Sequence, residues 1–135
     1  SEGPLWRIGI EHPRRPEEYA AVFESQEEVA LSATEDNADF MKVGQRRIPF
    51  VFDPETGSPP AGGGVIGTTV TARHAAVAHA LSYAFFVSGP EKSYELAERF
   101  KEEGVGAVFF EEGQNDKVLL SASENLRRSL KDIQP

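Results

Sequence analysis

The first residues able to do chemistry lie in an acidic turn that follows an apolar run. Asp53 begins the sequence Asp-Pro-Glu-Thr-Gly, which ends at Gly57. An aspartate at this position can fold its carboxylate back onto nearby backbone N–H groups, while proline fixes φ and glycine can supply a positive φ. The carboxylate of Asp53 and the hydroxyl of Thr56 could contact a nucleotide phosphate or an ion. Alternatively, they only cap the turn and shape the edge of a sheet.

A second pair of candidates, His79 and Tyr83, lies in an apolar segment over residues 73–88. Because they are four residues apart on a predicted helix, the two side chains share one face. An imidazole suits zinc, copper or iron, and it could also act as a general base. A neutral phenol is a poor metal ligand. Alternatively, His79 is a core histidine that is hydrogen-bonded to the tyrosine or to the backbone.

Three further signals carry less chemical information. The glycine run 62–64 could cradle a phosphate, but it lacks a following Lys-Ser or Lys-Thr and therefore predicts a plain loop. Ser32 has no evident histidine and acid partners, so the sequence does not predict a hydrolase triad. His12 and His74 lie beside arginine or proline, and we expect both at the surface.

The predicted strands and helices that must position these residues alternate along the chain. β-Branched and apolar residues predict strands over residues 6–10, 28–32, 48–52, 65–72, 105–110 and 117–121. Helical patterns cover residues 73–88, 91–103 and 124–130. Proline followed by two acids predicts a short helix or irregular segment over residues 16–24, and residues 33–42 are predicted to be irregular.

The predicted helix over residues 73–88 is apolar on every side, which is typical of a buried helix. Gly89-Pro90 predicts its end. The order of elements predicts an α+β fold, with helices packed on one face of a mainly antiparallel sheet. At this length we expect a single domain over residues 1–135.

The composition is that of a globular protein, and it excludes several functions. Apolar residues make up 39% of the chain and charged residues 27%. The net charge of -8 argues against nucleic acid or an anionic membrane as a partner, since both attract basic patches. There is no cysteine, which removes thiol nucleophiles and zinc–thiolate sites. No apolar run reaches the ~20 residues of a membrane span, and no signal peptide is evident.

Three stretches of the chain resemble, in the expected order, signatures of the ApbE family, the FAD:protein FMN transferases. Residues 47–59 are similar to His-x-x-Asp-Pro-x-Thr-Gly-x-Pro, and residues 6–10 are similar to Trp-x-(Ile/Val)-Gly-Ile. Residues 77–89 are similar to the helix Ala-Asp-Ala-Leu-Ala-Thr-Ala-Leu-Phe-Val-Leu-Gly. The resemblance covers nearly all of this chain but only the second half of the family domain. It implies an ApbE-like, T-fold-like half-domain of the α+β class.

The resemblance also implies a reaction and its cofactors. FMN would move from FAD to a threonine or serine of a target protein, with magnesium, and AMP would be released. Asp53 and Thr56 match positions near the cofactor, whereas His79 and Tyr83 match the positions of the magnesium ligands. The implied partners are a missing N-terminal half, a second chain or a homodimer partner, and a flavin-accepting protein. The resemblance implies that many relatives are exported, and it leaves the location of this chain open between the bacterial cytoplasm and the periplasm or cell envelope.

This chain departs from the family pattern at chemically important positions. Phe50 stands where the family has histidine and would only pack in the core, while His79 and Tyr83 replace aspartate and threonine. Leu31 and Ala33 replace threonine and glycine of an Ala-Thr-Ser-Gly strand, and nothing matches the family's Asp-Leu-Gly-Gly-x-x-Lys-Gly stretch. These substitutions predict a catalytically degenerate segment with no assigned catalytic residue. The alternatives are a non-catalytic relative that binds flavin or nucleotide, and a scaffold subunit that kept the fold and lost the ligand.

Overall fold

The computed structural model describes residues 4–36, 40–60 and 64–134. Its strands are β1 (Trp6–His12), β2 (Arg15–Ser25), β3 (Ala30–Glu35), β4 (Phe40–Val43), β5 (Arg46–Pro49), β6 (Val65–Ala72), β7 (Gly106–Glu112), β8 (Val118–Ala122) and β9 (Leu130–Lys131). Its α-helices are α1 (Ala75–Arg99) and α2 (Glu124–Arg127), and short 3₁₀ turns occupy Lys101–Glu103 and Gln114–Asp116.

Antiparallel pairing organises these strands into separate sheets. The first sheet has the order β1-β2-β9, and the second sheet has the order β3-β6-β7-β8. The β4–β5 hairpin forms a two-stranded sheet of its own. The first sheet packs on one face of the second sheet, and α1 packs on the other face. This arrangement confirms the predicted α+β class, with a helix on one face of a mainly antiparallel sheet.

The central strand β7 is buried on both faces. Val108 and Phe110 face the first sheet, whereas Ala107 and Phe109 face α1. Successive side chains of a strand point to opposite faces, so a strand that is covered on both sides carries a continuous apolar run. The predicted strand at this position is confirmed, and its apolar run joins the two halves of the core.

Short-range signals fix the ends of several elements. β6 has the predicted bounds. Within α1, Gly89 has φ 75° and ψ 175°, and together with Pro90 it divides the helix into two halves, as predicted. Gly104 adopts a left-handed φ of 73° after the following 3₁₀ turn. Glycine tolerates this conformation without the steric cost that a Cβ atom would bring.

The short helix or irregular segment predicted over residues 16–24 is wrong, because hairpin pairing with β1 makes this segment a strand. β2 runs through this segment and pairs with β1. Proline and acids favour a helical first turn locally, but the strand buries Ala20, Ala21 and Phe23 in the core.

Other bounds also differ from prediction. β3 and β4 occupy part of the segment predicted to be irregular, β5 ends before Phe50, and α2 gives way to β9.

α1 is not buried on every side, so that prediction is wrong. Its buried residues are Ala78, Ser82, Phe85, Phe86, Ser93 and Ala97. The side chain of Val77 is 42% exposed and that of Tyr83 is 44% exposed, and His79 is exposed as well. The helix packs mainly on β3, β6 and β7, so its opposite face remains open. Within the described ranges, no helix is both long and apolar enough to cross a membrane.

His12 holds the turn between β1 and β2. Its Nδ1 atom accepts hydrogen bonds from the backbone N–H groups of Arg14 and Arg15, both at 3.1 Å. The side chain is buried, so the predicted surface position is wrong, whereas His74 is exposed as predicted. An Nδ1 atom that accepts hydrogen bonds carries no proton, so the ring is neutral. Burial lowers the pKa of His12, and the charge of Arg15 lowers that pKa further.

We expect acid to weaken the fold through His12. Its pKa in the folded chain lies below the usual 6.5, so the unfolded chain takes up the proton first. The stabilisation is therefore fully present above about pH 6.5 and is lost as the pH falls toward the lowered pKa. Denaturant unfolding at about pH 7.5 and about pH 5.5 should show a larger loss for the unmodified chain than for His12→Asn, whose oxygen accepts hydrogen bonds without titrating. Equal losses would contradict this role.

Candidate functional site

α1 presents His79 and Tyr83 side by side, both exposed, with His79 beside β3. Their ring centroids are 5.1 Å apart and their planes meet at 78°, which is an edge-on contact. The shared face predicted from the four-residue spacing is therefore confirmed. The alternative of a core histidine is wrong, because His79 is exposed. Its Nδ1 atom lies 3.2 Å from the Oγ atom of Ser32 on β3.

Ser32 is the site residue that the sequence did not reveal. It lies 47 positions away from His79, so no local spacing relates the two residues. The contact arises because β3 pairs with β6, and α1 follows β6 and packs across both strands. The only sequence signal was a serine on a predicted strand, which says nothing about its partner.

A layer of hydroxyl groups beneath His79 fixes the position of Ser32. Ser82 on α1 is fully buried, and its Oγ atom donates a hydrogen bond to the backbone oxygen of His79 at 2.8 Å. The same Oγ atom lies 2.8 Å from Thr34 Oγ1 and 3.2 Å from Ser32 Oγ. Thr68 Oγ1 donates to the backbone oxygen of Ser82 at 3.0 Å. β3, β6 and α1 are therefore joined by hydrogen bonds directly below the candidate site.

The chemistry available to this face is limited by its donors. A hydroxyl beside an imidazole can exchange a proton, but no carboxylate is hydrogen-bonded to His79 in the ranges that the structure describes. Those ranges also hold no cluster of three His, Cys, Asp or Glu side chains that could bind a metal ion. An imidazole, a phenol and a hydroxyl do not fit magnesium, which prefers carboxylates and other hard oxygen ligands.

The acidic turn forms as its residues predicted. Glu55 N–H donates to Asp53 Oδ1 at 2.9 Å, and Ser58 N–H donates to Thr56 Oγ1 at 3.3 Å. Asp53 N–H donates to the backbone oxygen of Ser58 at 2.8 Å, and Gly57 has the expected positive φ of 64°. Asp53 and Thr56 thus both cap the turn. Within the described part of the chain, no hydrogen bond or ring contact joins them to His79 or Tyr83.

The residues that flank the acidic turn are more exposed than expected. Phe50 is 60% exposed and Phe52 is 51% exposed, so the expectation that Phe50 packs in the core is wrong. The structure places both before the turn and outside β5, and neither belongs to a strand in the described part of the chain. In the glycine run 62–64, the first two residues lie outside the described residues. Gly64 has φ 69°, and its backbone oxygen accepts a hydrogen bond from Glu112 N–H at 2.7 Å.

Two packed sheets with α1 on the outer face define an α+β protein of a known architecture. The ApbE protein of Thermotoga maritima aligns with 96% of this chain and 41% of its own, with a TM-score of 0.78 and 25% sequence identity. The flavinyl transferase ApbE of Pseudomonas stutzeri aligns with 92% of this chain and 36% of its own, with a TM-score of 0.66 and 26% identity.

The sequence profile of the ApbE family matches residues 1–109, so this chain belongs to the ApbE family. The FAD:protein FMN transferase of Escherichia coli strain K12 is 28% identical over 121 residues, and that of Klebsiella pneumoniae strain 342 is 26% identical over 121 residues. Each alignment covers 89% of this chain and 33% of the relative. The resemblance inferred from the sequence motifs is confirmed. The chain spans about a third of the length of these curated relatives.

Proposed function

We propose that this chain forms one wall of the FAD site of an ApbE-type FMN transferase, and that its own catalytic positions are degenerate. The observation that carries the proposal is the His79–Tyr83 pair, which offers an imidazole and a phenol where the ApbE resemblance implies magnesium ligands. Family membership and the names of the relatives support a flavin nucleotide as the ligand class. Because the chain spans 33% of the Escherichia coli relative, the remaining walls would come from residues outside these 135.

Asp53 and Thr56 would contact the flavin nucleotide from the acidic turn. Backbone N–H groups already bond Asp53 Oδ1 and Thr56 Oγ1, and these bonds hold both side chains in place. Among the described residues, no hydrogen bond engages the second carboxylate oxygen of Asp53 or the hydroxyl hydrogen of Thr56, so both could contact a ligand. Like charges repel, so Asp53 suits a hydroxyl or N–H donor of the nucleotide, and Thr56 can donate to a phosphate oxygen.

A scaffold subunit is the second candidate function, and one observation favours it. Trp6 is 60% exposed, and Phe50 and Phe52 are exposed to a similar degree. Exposed apolar side chains that form one contiguous patch are typical of sites that bind other polypeptides, and Phe50 and Phe52 are close in sequence. A scaffold that lost its ligand would purify without flavin absorbance, whereas a flavin-binding relative would retain it when FAD is supplied.

We expect no tight magnesium binding at the His79–Tyr83 face, because a hard cation needs carboxylate oxygens, and the described residues form no such cluster there. Calorimetric titration of the chain should show no saturable heat up to about 1 mM magnesium. His79→Asp combined with Tyr83→Thr should raise the affinity for magnesium. His74→Asp is the matched control, because it replaces another exposed histidine near the start of α1 with a carboxylate. Saturable magnesium binding by the unmodified chain would contradict the proposal.

A further inference from the structure

Hydrogen bonds connect the ring of His79 to the buried hydroxyl groups beneath it. Ser82 Oγ lies 2.8 Å from the backbone oxygen of His79 and 2.8 Å from Thr34 Oγ1. Ser32 Oγ lies 3.2 Å from Ser82 Oγ and 3.2 Å from His79 Nδ1. We call these four contacts the hydroxyl network. Each contact uses one proton, so the donor of each contact can be assigned in turn.

The assignment starts from Ser82, because one of its partners can only accept. A carbonyl oxygen carries no proton, so Ser82 donates its single hydroxyl proton to the backbone oxygen of His79, a bond that serine commonly makes within helices. The oxygen of Ser82 then accepts in its other two contacts. Thr34 and Ser32 are therefore the donors, and the proton of Ser32 points toward Ser82.

The ring of His79 must supply the proton of the fourth contact. Ser82 accepts the only hydroxyl proton of Ser32, so Nδ1 of His79 donates to Ser32 Oγ. If Ser32 donated to Nδ1 instead, the oxygens of Ser32 and Ser82 would face each other at 3.2 Å without a proton between them. His79 is therefore held as the tautomer with its proton on Nδ1. Ser32 is thus not a nucleophile paired with a general base.

The second ring nitrogen of His79 is the one that a ligand can reach. When Nδ1 of a neutral imidazole carries the proton, Nε2 carries a lone pair and can only accept. Among the described residues, no hydrogen bond engages Nε2, and His79 is exposed. An O–H or N–H group can donate to this atom, whereas an ionised phosphate oxygen, which is itself an acceptor, cannot.

We propose that Ser82, acting through Ser32, is a positioning residue for His79, and that Nε2 of His79 is the hydrogen-bond acceptor that the candidate site offers to an O–H or N–H group of its ligand. The bond made by one ring nitrogen of a histidine decides the state of the other. A flavin nucleotide supplies such donors in its sugar hydroxyls and ring N–H groups. The ligand part of the proposal rests on the proposed function, whereas the tautomer of His79 does not.

Two other parts of the chain provide internal comparisons. Ser93 is also buried on α1, and its Oγ atom donates to the backbone oxygen of Gly89 at 2.6 Å. Ser93 makes the same kind of helix bond as Ser82 but takes no part in the hydroxyl network. His12 has the opposite arrangement to His79, because its Nδ1 atom accepts two backbone N–H groups and its ring proton therefore lies on Nε2.

Nitrogen NMR of the unliganded 135-residue chain tests the tautomer. A ring nitrogen that carries a proton and one that carries a lone pair resonate far apart. Spectra are recorded at a pH at which the signals of all three histidines have stopped changing, so that each ring is neutral. His79 should carry its proton on Nδ1, and His12 should carry it on Nε2. The signals lost in His79→Gln identify His79. A proton on Nε2 of His79 would overturn the proposal.

Removal of single hydroxyl groups tests the part played by the two serines. Ser82→Ala should reverse the tautomer of His79, because Ser32 loses its acceptor and then donates to Nδ1. Ser32→Ala leaves the buried bonds of Ser82 in place, and His79 should then show the tautomer mixture of exposed His74, whose side chain makes no capping hydrogen bond.

Two control variants remove a hydroxyl group without changing the bond to Nδ1. Thr34→Val should leave the tautomer of His79 unchanged, because Ser82 still accepts from Ser32. Ser93→Ala should leave it unchanged as well. Circular dichroism confirms that each variant is folded. The proposal fails if Ser32→Ala keeps the tautomer of the unmodified chain, or if either control reverses it.

A titration with FAD tests the ligand part and separates it from the proposed function. Equilibrium dialysis measures binding, and the Nε2 signal of His79 should move toward that of a protonated nitrogen as FAD saturates the chain. Ser82→Ala should raise the dissociation constant about threefold to tenfold, whereas Ser93→Ala should change it less than about twofold. Binding of FAD without movement of the Nε2 signal would overturn this proposal and leave the proposed function standing. Absence of FAD binding would contradict the proposed function, and the ligand part would fall with it.

Discussion

Replacement of Phe109 by alanine should lower the free energy of unfolding by about 3–5 kcal/mol, the usual cost of removing a fully buried phenylalanine. Phe109 has no exposed surface and lies on β7 beneath α1. Its ring stacks on Phe85 at 6.4 Å between centroids and meets Tyr94 edge-on at 5.3 Å. Phe85 precedes the break at Gly89 and Tyr94 follows it, so this one ring packs against both halves of α1.

The size of this effect can be checked against a second phenylalanine. Phe100 lies just after α1 and is 44% exposed, so Phe100→Ala should cost less than about 1 kcal/mol. Denaturant unfolding of both variants, followed by circular dichroism, gives the two values directly. Domains of this size are commonly stable by about 5–15 kcal/mol, so Phe109→Ala should remove a large part of the total. Similar losses for the two variants would contradict the packing described for β7 and α1.

The central layer of the fold could be predicted because local signals and burial agree there. The apolar run of β7 and the β-branched run of β6 favour strands wherever they are placed. Gly89-Pro90 interrupts a helix for reasons that lie within two residues. The turn at Asp53 likewise depends on hydrogen bonds to its immediate neighbours, and those bonds are present.

β2 could not be predicted, because the residues at its start favour a helix whereas its neighbour β1 pairs with it as a strand. Pro16 and the two acids that follow favour a first helical turn, yet the segment forms a strand because it is hydrogen-bonded to β1. β1 ends at His12 and β2 begins at Arg15, so the two strands form a hairpin, and its pairing depends on both strands rather than on residues 16–24 alone. The neighbouring residue Glu17 has a positive φ of 69°, which marks the irregular start of this strand rather than a helix.

The candidate site was predicted in its spacing but not in its surroundings. His79 and Tyr83 share a face because a helix has a fixed period. Their exposure depends on which elements cover α1, and the contact with Ser32 depends on how β3 lies beside β6. Exposure and long-range contact are properties of the assembled layers, so the sequence indicated the residues and left their partners open.

We expect the largest functional effect to be an absence of FMN transfer by this chain alone. Phe50 cannot donate a hydrogen bond or transfer a proton, and His79 and Tyr83 do not supply the hard oxygen ligands that magnesium prefers. The chain also spans about a third of the curated FMN transferases that it resembles. Loss of metal-assisted charge stabilisation alone costs several kcal/mol in a transition state, which corresponds to roughly a thousandfold or more in rate.

Mass spectrometry of an acceptor protein tests the central claim most directly. The chain is incubated with FAD, magnesium and an acceptor domain that the Escherichia coli FAD:protein FMN transferase modifies in a parallel reaction. Flavin absorbance of the repurified chain is recorded in the same experiment, so that ligand binding is scored separately from transfer. The account predicts an unmodified acceptor with this chain and an acceptor heavier by one FMN with the Escherichia coli enzyme. An FMN-sized mass increase produced by this chain alone would contradict the proposal that its catalytic positions are degenerate.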